Sequence, residues 1–174
     1  MDSRIREKAR KVEMLLLDVD GVLTDGTFAR QGEDEIKRFH SRDGIGLVLA
    51  RRAGLKLGLI SGRSSAAVVH RAQELSIDFV RLGASDKITA YREALAEAGL
   101  AEEQVACMGD DLPDLPLLLR GGLSAAPADA HVEVRSRVDY VTRARGGFGA
   151  VREVVDLILS AKGVLPELIE EYLR

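Results

Sequence analysis

The sequence contains little of what marks several common protein classes. Its one cysteine, Cys107, excludes an internal disulfide and a cysteine-based zinc cluster. Lysine and arginine total 25 against 28 aspartates and glutamates, so the basic excess of a typical nucleic-acid-binding protein is absent. No apolar run approaches the ~18 residues of a membrane span, and residues 1–11 are charged rather than apolar as in a secretory signal. We therefore expect a cytoplasmic protein that binds neither nucleic acid nor a membrane.

The composition that is present is typical of a folded globular protein. Hydrophobic residues make up 46% of the 174 residues and charged residues 30%, which is enough apolar material to form a core. The length favours one domain, and the sequence shows no internal repeat, low-complexity tract or linker. We therefore predict a single domain over residues 1–174.

Short apolar runs alternate with segments of helical periodicity. The runs suit strands buried on both faces, and they cover residues 14–17, 55–60, 77–80 and 105–108. The helical segments cover residues 44–53, 64–75, 85–98, 112–120 and 148–161. Asp43 is expected to cap the first of these helices. This alternation predicts an α/β domain with a doubly wound, Rossmann-like, mainly parallel sheet and helices on both faces.

Two segments fall outside this alternation. Residues 26–39 have no helical stripe and hold two strand-like stretches on either side of residues 31–34, which predicts a projecting β-hairpin. Residues 164–174 follow Gly163 and contain Pro166. We expect this last stretch to form a short helix or a tail that lies on another surface.

Polar side chains follow the apolar runs near the positions where the predicted strands end. The most informative are Asp18, Asp20, Ser61, Lys87 and Asp110. The strand ends of a parallel sheet share one edge, so folding is expected to gather these groups in one place. Clustered carboxylates repel one another unless a cation is present, and a hard ion such as Mg²⁺ prefers oxygen ligands of this kind. A Mg²⁺ ion beside a lysine and a serine suits phosphoryl transfer.

The paired aspartates after the first run indicate how such a transfer could proceed. A carboxylate can attack phosphorus and form an aspartyl-phosphate. Asp18 and Asp20 would share a face on a continuing strand, but Gly21 allows the chain to turn so that Asp20 points away from the metal. Asp20 is then a candidate general acid and base.

These residues stand in motifs that resemble those of the haloacid dehalogenase superfamily of phosphohydrolases. Residues 18–25, with the sequence DVDGVLTD, are similar to its first motif, and residues 109–114, GDDLPD, to its fourth. Ser61 and Lys87 stand between them, in the order of the second and third motifs. Four motifs in the expected order form a specific signature.

The resemblance implies a role for each of these groups. Asp18 would be the nucleophile and Asp20 the general acid and base. Ser61 and Lys87 would hold the phosphoryl oxygens. The implied ligands of Mg²⁺ are Asp18, the backbone carbonyl of Asp20, and Asp110, with Asp111 and Asp114 as supporting carboxylates.

The gaps between the motifs are too short for a separate cap domain, which places the resemblance in the capless subclass. From about residue 14 to residue 163 the chain is similar to the 3-deoxy-D-manno-octulosonate 8-phosphate phosphatase family, whose product is the lipopolysaccharide sugar Kdo. The similar segments are residues 39–46, 60–63, 128–131, 139–142 and 146–153. The resemblance implies a homotetramer in which the hairpin of one subunit borders a neighbour's site and the C-terminal tail reaches toward one.

The substrate of that family carries a phosphate at one end and a carboxylate at the other, and the planar fork of arginine matches a carboxylate. Besides Asp20 and Lys87, the resemblance places these residues in substrate binding: His40, Ser41, Arg42, Asp43, Gly44, Arg63 and Arg71. The chain departs from some members at Val48, where they carry arginine. Arg51, one turn later, is a candidate substitute.

Three other functions are compatible with parts of the pattern. The nearest is a phosphatase of a related nine-carbon sugar acid, but Arg63 favours the eight-carbon substrate because relatives that act on nine-carbon acids can differ there. A signalling receiver domain also gathers aspartates, a hydroxyl and a lysine, but its phosphoacceptor aspartate precedes the hydroxyl in a different motif order. A non-catalytic assembly module of the same fold would not need the intact acidic residues and Lys87.

Overall fold

A computed structural model describes residues 2–32 and 34–173 of the chain. Met1, Arg174 and Glu33, which the sequence placed in the turn of the hairpin, lie outside the described residues. The helices are α1 (Ser3–Lys11), α2 (Ser41–Arg52), α3 (Ala66–Glu74), α4 (Lys87–Ala98), α5 (Leu115–Leu118), α6 (Val132–Arg135), α7 (Ala150–Lys162) and α8 (Leu165–Glu170). The strands are β1 (Met14–Leu17), β2 (Ala29–Gln31), β3 (Asp34–Ile36), β4 (Lys56–Ser61), β5 (Phe79–Leu82), β6 (Val105–Met108), β7 (Leu123–Ala126) and β8 (Tyr140–Val141).

The main sheet confirms the predicted Rossmann-like topology. Its strand order is β5-β4-β1-β6-β7-β8, and all neighbouring pairs are parallel. The chain passes from β1 to β4 and β5 on one side and then returns to β6 on the other, so the strand order reverses at β1. In open sheets of this kind, ligands bind outside the carboxyl ends of the strands at the point of reversal.

Helices cover both faces of the sheet because successive side chains of β1 point to opposite sides. Leu15 and Leu17 pack in a core with residues of α1, α2, α3 and α7. Met14 and Leu16 pack on the other face with residues of α4 and α5. All four residues of β1 are buried, which explains their continuous apolar pattern. In the part of the chain that the structure describes, we find no helix with the length and apolar character that crossing a bilayer requires.

The helix that precedes β4 begins earlier than the sequence indicated, and the prediction of Asp43 as its N-cap was wrong. α2 begins at Ser41, and the Nδ1 atom of His40 accepts the backbone N–H of Arg42 at 3.3 Å. Asp43 lies inside the helix and is buried. Its carboxylate caps α7 instead, because the first N–H groups of a helix lack partners within that helix.

Other boundaries differ where the local signal was weak. Residues 112–120 do not form one helix. A 3-10 turn over Leu112–Asp114 precedes the four-residue helix α5, and a proline near the start of each interrupts the helical hydrogen bonding. The sequence did not predict α1, α6, β7 or β8. α1 has Ile5 and Ala9 as its only apolar residues, which gives a weak sequence signal, and β8 has only two residues.

The hairpin and the C-terminal segment take the expected forms with shifted bounds. β2 and β3 form a separate antiparallel pair with Ala29 opposite Ile36, whereas residues 37–39, expected as strand, lie outside it. α8 accounts for the predicted short helix. The residues after it lie on α2 of the same chain, where Glu171 pairs with Arg52 and the Tyr172 ring lies 5.6 Å from that guanidinium.

Candidate active site

The carboxylates predicted from the strand ends meet at the reversal point of the sheet. Asp18 directly follows β1, and its backbone N–H donates to the Met108 carbonyl of β6 at 3.0 Å. Lys87 is the first residue of α4, which Asp86 caps through the backbone N–H of Ile88. The Nζ atom of Lys87 lies 2.8 Å from Oδ1 of Asp18. Folding thus joins the first and third motifs by a direct ion pair.

Asp114 organises the acidic loop that follows β6. It is buried, and its Oδ2 atom accepts the backbone N–H groups of Asp110 at 3.0 Å and Asp111 at 3.2 Å. Its Oδ1 atom lies 2.5 Å from Nζ of Lys87. Gly109 makes room for this side chain, since a Cβ at that position would lie 2.4 Å from Cβ of Asp114. Asp111 is exposed and caps the 3-10 turn through Leu112.

The charge of Lys87 is maintained by its two partners. Burial alone would lower the pKa of this ammonium, but the carboxylates of Asp18 and Asp114 outweigh burial and hold the pKa above its ordinary value. Lys87 therefore presents a positive charge at neutral pH, beside the carboxylate predicted to act as nucleophile.

Three carboxylates in this cluster are arranged as a cation site. Asp18, Asp110 and Asp114 each bring an oxygen within 4.8 Å of the others. Burial, reinforced by the charge of Asp114, raises the pKa of Asp18 to about 6. Burial, reinforced by Asp18 and Asp114, raises the pKa of Asp110 to about 7. A divalent cation among these oxygens would favour the ionised carboxylates, and an all-oxygen donor set fits Mg²⁺.

The Asp20 carboxylate stands apart from the group formed by Asp18, Asp110 and Asp114, and a glycine turn follows it. Gly21 has a φ of +85°, and a Cβ there would lie 2.1 Å from Oδ2 of Asp110. The Asp20 carboxylate instead pairs with Lys37, and its Oδ2 lies 3.7 Å from Nε of Arg63. Lys37 was missed by the sequence analysis, because no motif contains it and its position in the hairpin had no chemical signal.

Arg63 reaches the site as expected, but its guanidinium already has partners. It pairs with Glu35 of the hairpin and lies 4.0 Å from the centre of the Phe28 ring. The Arg63 pairing is a main cause of the lowered pKa of Glu35. The hairpin therefore contacts the site of its own chain.

The acidic cluster, Lys87, Asp20 and Arg63 line an open cleft of about 360 Å³. Ser61 lies in its wall at the end of β4, where its Oγ atom accepts the backbone N–H of Arg63 at 3.2 Å. The lining residues are Asp18, Asp20, Gly26, Ser61, Gly62, Arg63, Lys87, Asp110, Asp111, Pro113 and Asp114. The predicted catalytic and metal-binding residues are thus brought together, with Arg63 beside them.

Other residues predicted to bind substrate are not in the described lining of this cleft, and their role stays a prediction. They are His40, Ser41, Arg42, Asp43, Gly44 and Arg71. The Asp43 carboxylate accepts two backbone N–H groups at the start of α7, at 2.8 and 3.1 Å. Arg71 lies against Gly44, where a Cβ would be 2.3 Å from Nη2, and pairs with Glu74 at 2.8 Å. Val48 packs against the core.

Comparison with known proteins agrees with this geometry. Residues 63–153 match the haloacid dehalogenase-like hydrolase family. The 3-deoxy-D-manno-octulosonate 8-phosphate phosphatase KdsC of Escherichia coli strain K12 is 44% identical over 161 residues, which are 92% of this chain and 86% of that protein.

Solved structures are similar over nearly the whole chain. The 3-deoxy-D-manno-octulosonate 8-phosphate phosphatase of Yersinia pestis is 41% identical with a TM-score of 0.93, covering 95% of this chain and 90% of that one. The enzyme of the same name from Moraxella catarrhalis, solved with a magnesium ion, a phosphate ion and KDO, is 37% identical. Its TM-score is 0.95, and the match covers 99% of each chain.

Proposed function

Because the chain belongs to the 3-deoxy-D-manno-octulosonate 8-phosphate phosphatases of the haloacid dehalogenase-like hydrolases, we propose that it hydrolyses this sugar phosphate to Kdo and phosphate. The reaction is a step of lipopolysaccharide biosynthesis. The observation that carries the proposal is the contact of Lys87 with Asp18 and Asp114 at the reversal point of the sheet. The nine-carbon acid and the non-catalytic module are not favoured, since relatives covering the chain are named for the eight-carbon substrate.

The enzyme uses Mg²⁺, and the residues proposed to hold it are Asp18, Asp110 and the backbone carbonyl of Asp20. When bound, the ion offsets negative charge on the transferred phosphoryl group. Asp114 stands beside these ligands, and its contacts with Lys87 and with the backbone of the acidic loop support their placement.

In the first half of the proposed reaction, an oxygen of Asp18 attacks phosphorus. A bond forms between this oxygen and phosphorus, and the bond from phosphorus to the sugar oxygen breaks. Asp20 gives a proton to the departing sugar oxygen, which leaves as the hydroxyl of Kdo. Ser61 and Lys87 hold the phosphoryl oxygens, and the Lys87 ammonium offsets the charge that gathers on them.

In the second half, the roles at the phosphorus reverse. The Asp20 carboxylate takes a proton from a water molecule, whose oxygen attacks the phosphorus of the aspartyl-phosphate. The bond between phosphorus and the Asp18 oxygen breaks, which releases inorganic phosphate and regenerates the Asp18 carboxylate. Both halves thus need Asp20 at the same place, first as an acid and then as a base.

Arg63 is proposed to receive the carboxylate of the sugar acid. It reaches the cleft beside Asp20, and its guanidinium can bind a carboxylate with two parallel hydrogen bonds. Because Glu35 occupies the guanidinium in this structure, the sugar carboxylate must share Arg63 with Glu35 or displace it.

Phosphate release from Kdo 8-phosphate, with Mg²⁺ and with EDTA, tests the proposed function. We expect turnover only with the metal, and no turnover by Asp18→Asn, which keeps the shape of the side chain and removes the nucleophile. Asp156→Asn alters a carboxylate of α7 outside the cleft and serves as the control. Faster turnover of a nine-carbon sugar acid phosphate, or full activity of Asp18→Asn, would contradict the assignment.

The assembly and the setting of the enzyme are proposed with it. We infer one phosphatase domain over residues 1–174, located in the cytoplasm and assembled as a homotetramer whose neighbours close the open cleft. Support comes from Phe28 and Ile36 on the hairpin, which are both 46% exposed in the single chain although they are large and apolar. Light scattering after size-exclusion chromatography should give four times the chain mass, and Ile36→Ser should lower it. A monomeric wild type would contradict the tetramer.

A further inference from the structure

Lys37 is a buried cation to which the reaction described so far gives no task. Its side chain is inaccessible to solvent, and its ammonium pairs with the Asp20 carboxylate. The same ammonium lies 3.4 Å from Oε2 of Glu35. Burial of a lysine is unfavourable unless its charge is paired. The fold therefore places this charge against the carboxylate to which we assign proton transfer, despite the cost of desolvating it.

Lys37 belongs to a closed ring of alternating charges. It links Asp20 to Glu35, and Arg63 links Glu35 back to Asp20. The Phe28 ring lies beside both cations, 4.0 Å from the guanidinium and 5.6 Å from the ammonium. Each oxygen of the Asp20 carboxylate consequently faces a different cation, and this restrains rotation of the carboxylate.

The ring joins the hairpin to the residues that follow β1. Within residues 2–32 and 34–173, the strands β2 and β3 pair only with each other, and β2 is exposed along its length. Glu35 is the central residue of β3, Lys37 directly follows that strand, and Asp20 lies two residues after Asp18. The position of the Asp20 carboxylate thus depends on a segment that contributes nothing to the main sheet.

We propose that Lys37 is a positioning residue, which holds the Asp20 carboxylate where it exchanges a proton with the leaving sugar oxygen. The inference rests on the proposed function in one respect, the assignment of proton transfer to Asp20. A proton donor must lie within hydrogen-bond reach of the oxygen that receives the proton, and small displacements reduce the rate steeply. The departure of a leaving group that needs no proton is insensitive to that displacement, whereas the later attack of water depends on Asp20 for every substrate.

Lys37→Met tests this inference, because it keeps the aliphatic stem and removes the charge. We expect kcat for Kdo 8-phosphate to fall at least about tenfold while KM changes less than about threefold. With p-nitrophenyl phosphate, whose leaving group needs no proton, the comparison uses kcat/KM, which reports only the steps up to departure of the leaving group and not the later attack of water. This kcat/KM should fall less than about threefold. Lys37→Arg should recover part of the lost kcat. Arg38→Met, which alters an exposed neighbour without an ion pair among the described residues, should behave as the wild type.

A double variant separates positioning from an independent contribution. If Lys37 acts only through Asp20, then Asp20→Asn combined with Lys37→Met should be no slower than Asp20→Asn alone. Losses that multiply in the double variant, or equal losses of kcat/KM with both substrates, would overturn the proposal. If circular dichroism shows that Lys37→Met does not fold, Lys37→Arg takes its place. Asp20→Asn combined with Lys37→Arg should then be no slower than Asp20→Asn alone. A wild type that does not hydrolyse Kdo 8-phosphate would instead refute the proposed function, and the inference with it.

Discussion

Asp110→Asn should make the metal-free protein more stable while it abolishes phosphatase activity. The fold buries the Asp110 carboxylate beside Asp18 and Asp114, and this raises its pKa from 3.8 to about 7. Asparagine has nearly the same shape and no charge, so it removes both the desolvation of the charge and the repulsion. It also removes a proposed ligand of Mg²⁺, and the variant should therefore be inactive.

The size of the stabilisation follows from the pKa. One pKa unit corresponds to about 1.4 kcal/mol, so the rise from 3.8 to about 7 corresponds to roughly 4 kcal/mol for a fully ionised, isolated carboxylate. Asp110 is partly exposed and shares its repulsion with two neighbours. We therefore expect about half of that value, ~2 kcal/mol of unfolding free energy, at a pH above the folded pKa.

The sign of the pH dependence is fixed because the folded pKa lies above the unfolded one. The fold favours the protonated carboxyl, so the wild type carries no penalty from Asp110 below pH 3.8. The wild type then loses stability as the pH rises from 3.8 to about 7, and the full penalty persists above that window. The advantage of Asp110→Asn should accordingly grow over the same interval.

Denaturant unfolding in EDTA at one protein concentration measures this difference, at about pH 5 and again at about pH 8. Mg²⁺ should then stabilise the wild type and leave Asp110→Asn unchanged. Asp156→Asn, on α7, is the control and should show neither effect. The reasoning would be refuted if Asp110→Asn were no more stable than the wild type at about pH 8. It would also be refuted if the gain in unfolding free energy over the wild type were the same at about pH 5 and about pH 8.

Three further substitutions test the packing around the site. Gly21→Ala should destabilise the fold by about 1–3 kcal/mol and lower kcat, because it forces a Cβ at φ +85° against Asp110; unchanged unfolding and turnover would contradict this. Asp43→Ala should cost about 2 kcal/mol of unfolding free energy, since the N–H groups of Gly149 and Arg152 at the start of α7 lose their acceptor, whereas Asp43→Asn should cost less. Tyr91→Phe should leave stability unchanged or raise it by up to ~1 kcal/mol, because the buried hydroxyl has no partner among the described residues; a clear loss would reveal a hidden hydrogen bond.

The sequence alone predicted the fold class because its strongest signals are local. Continuous apolar runs such as residues 14–17 and 105–108 occur where strands are covered on both faces, and both are strands in the structure. The order of the polar residues after those runs was sufficient to place Asp18, Lys87 and Asp110 at one edge of the sheet. Where the local signal was weak, as in α1 and β8, the elements were missed.

The partners of individual charged groups were decided only by the tertiary structure. Asp43 has the local pattern of an N-cap of α2, yet it caps α7, more than a hundred residues later. Lys37 stands in no motif, but it pairs with Asp20 because the hairpin folds over the turn that Gly21 permits. Sequence patterns report which face of an element is buried, whereas ion pairs between distant segments form only when packing brings those segments together.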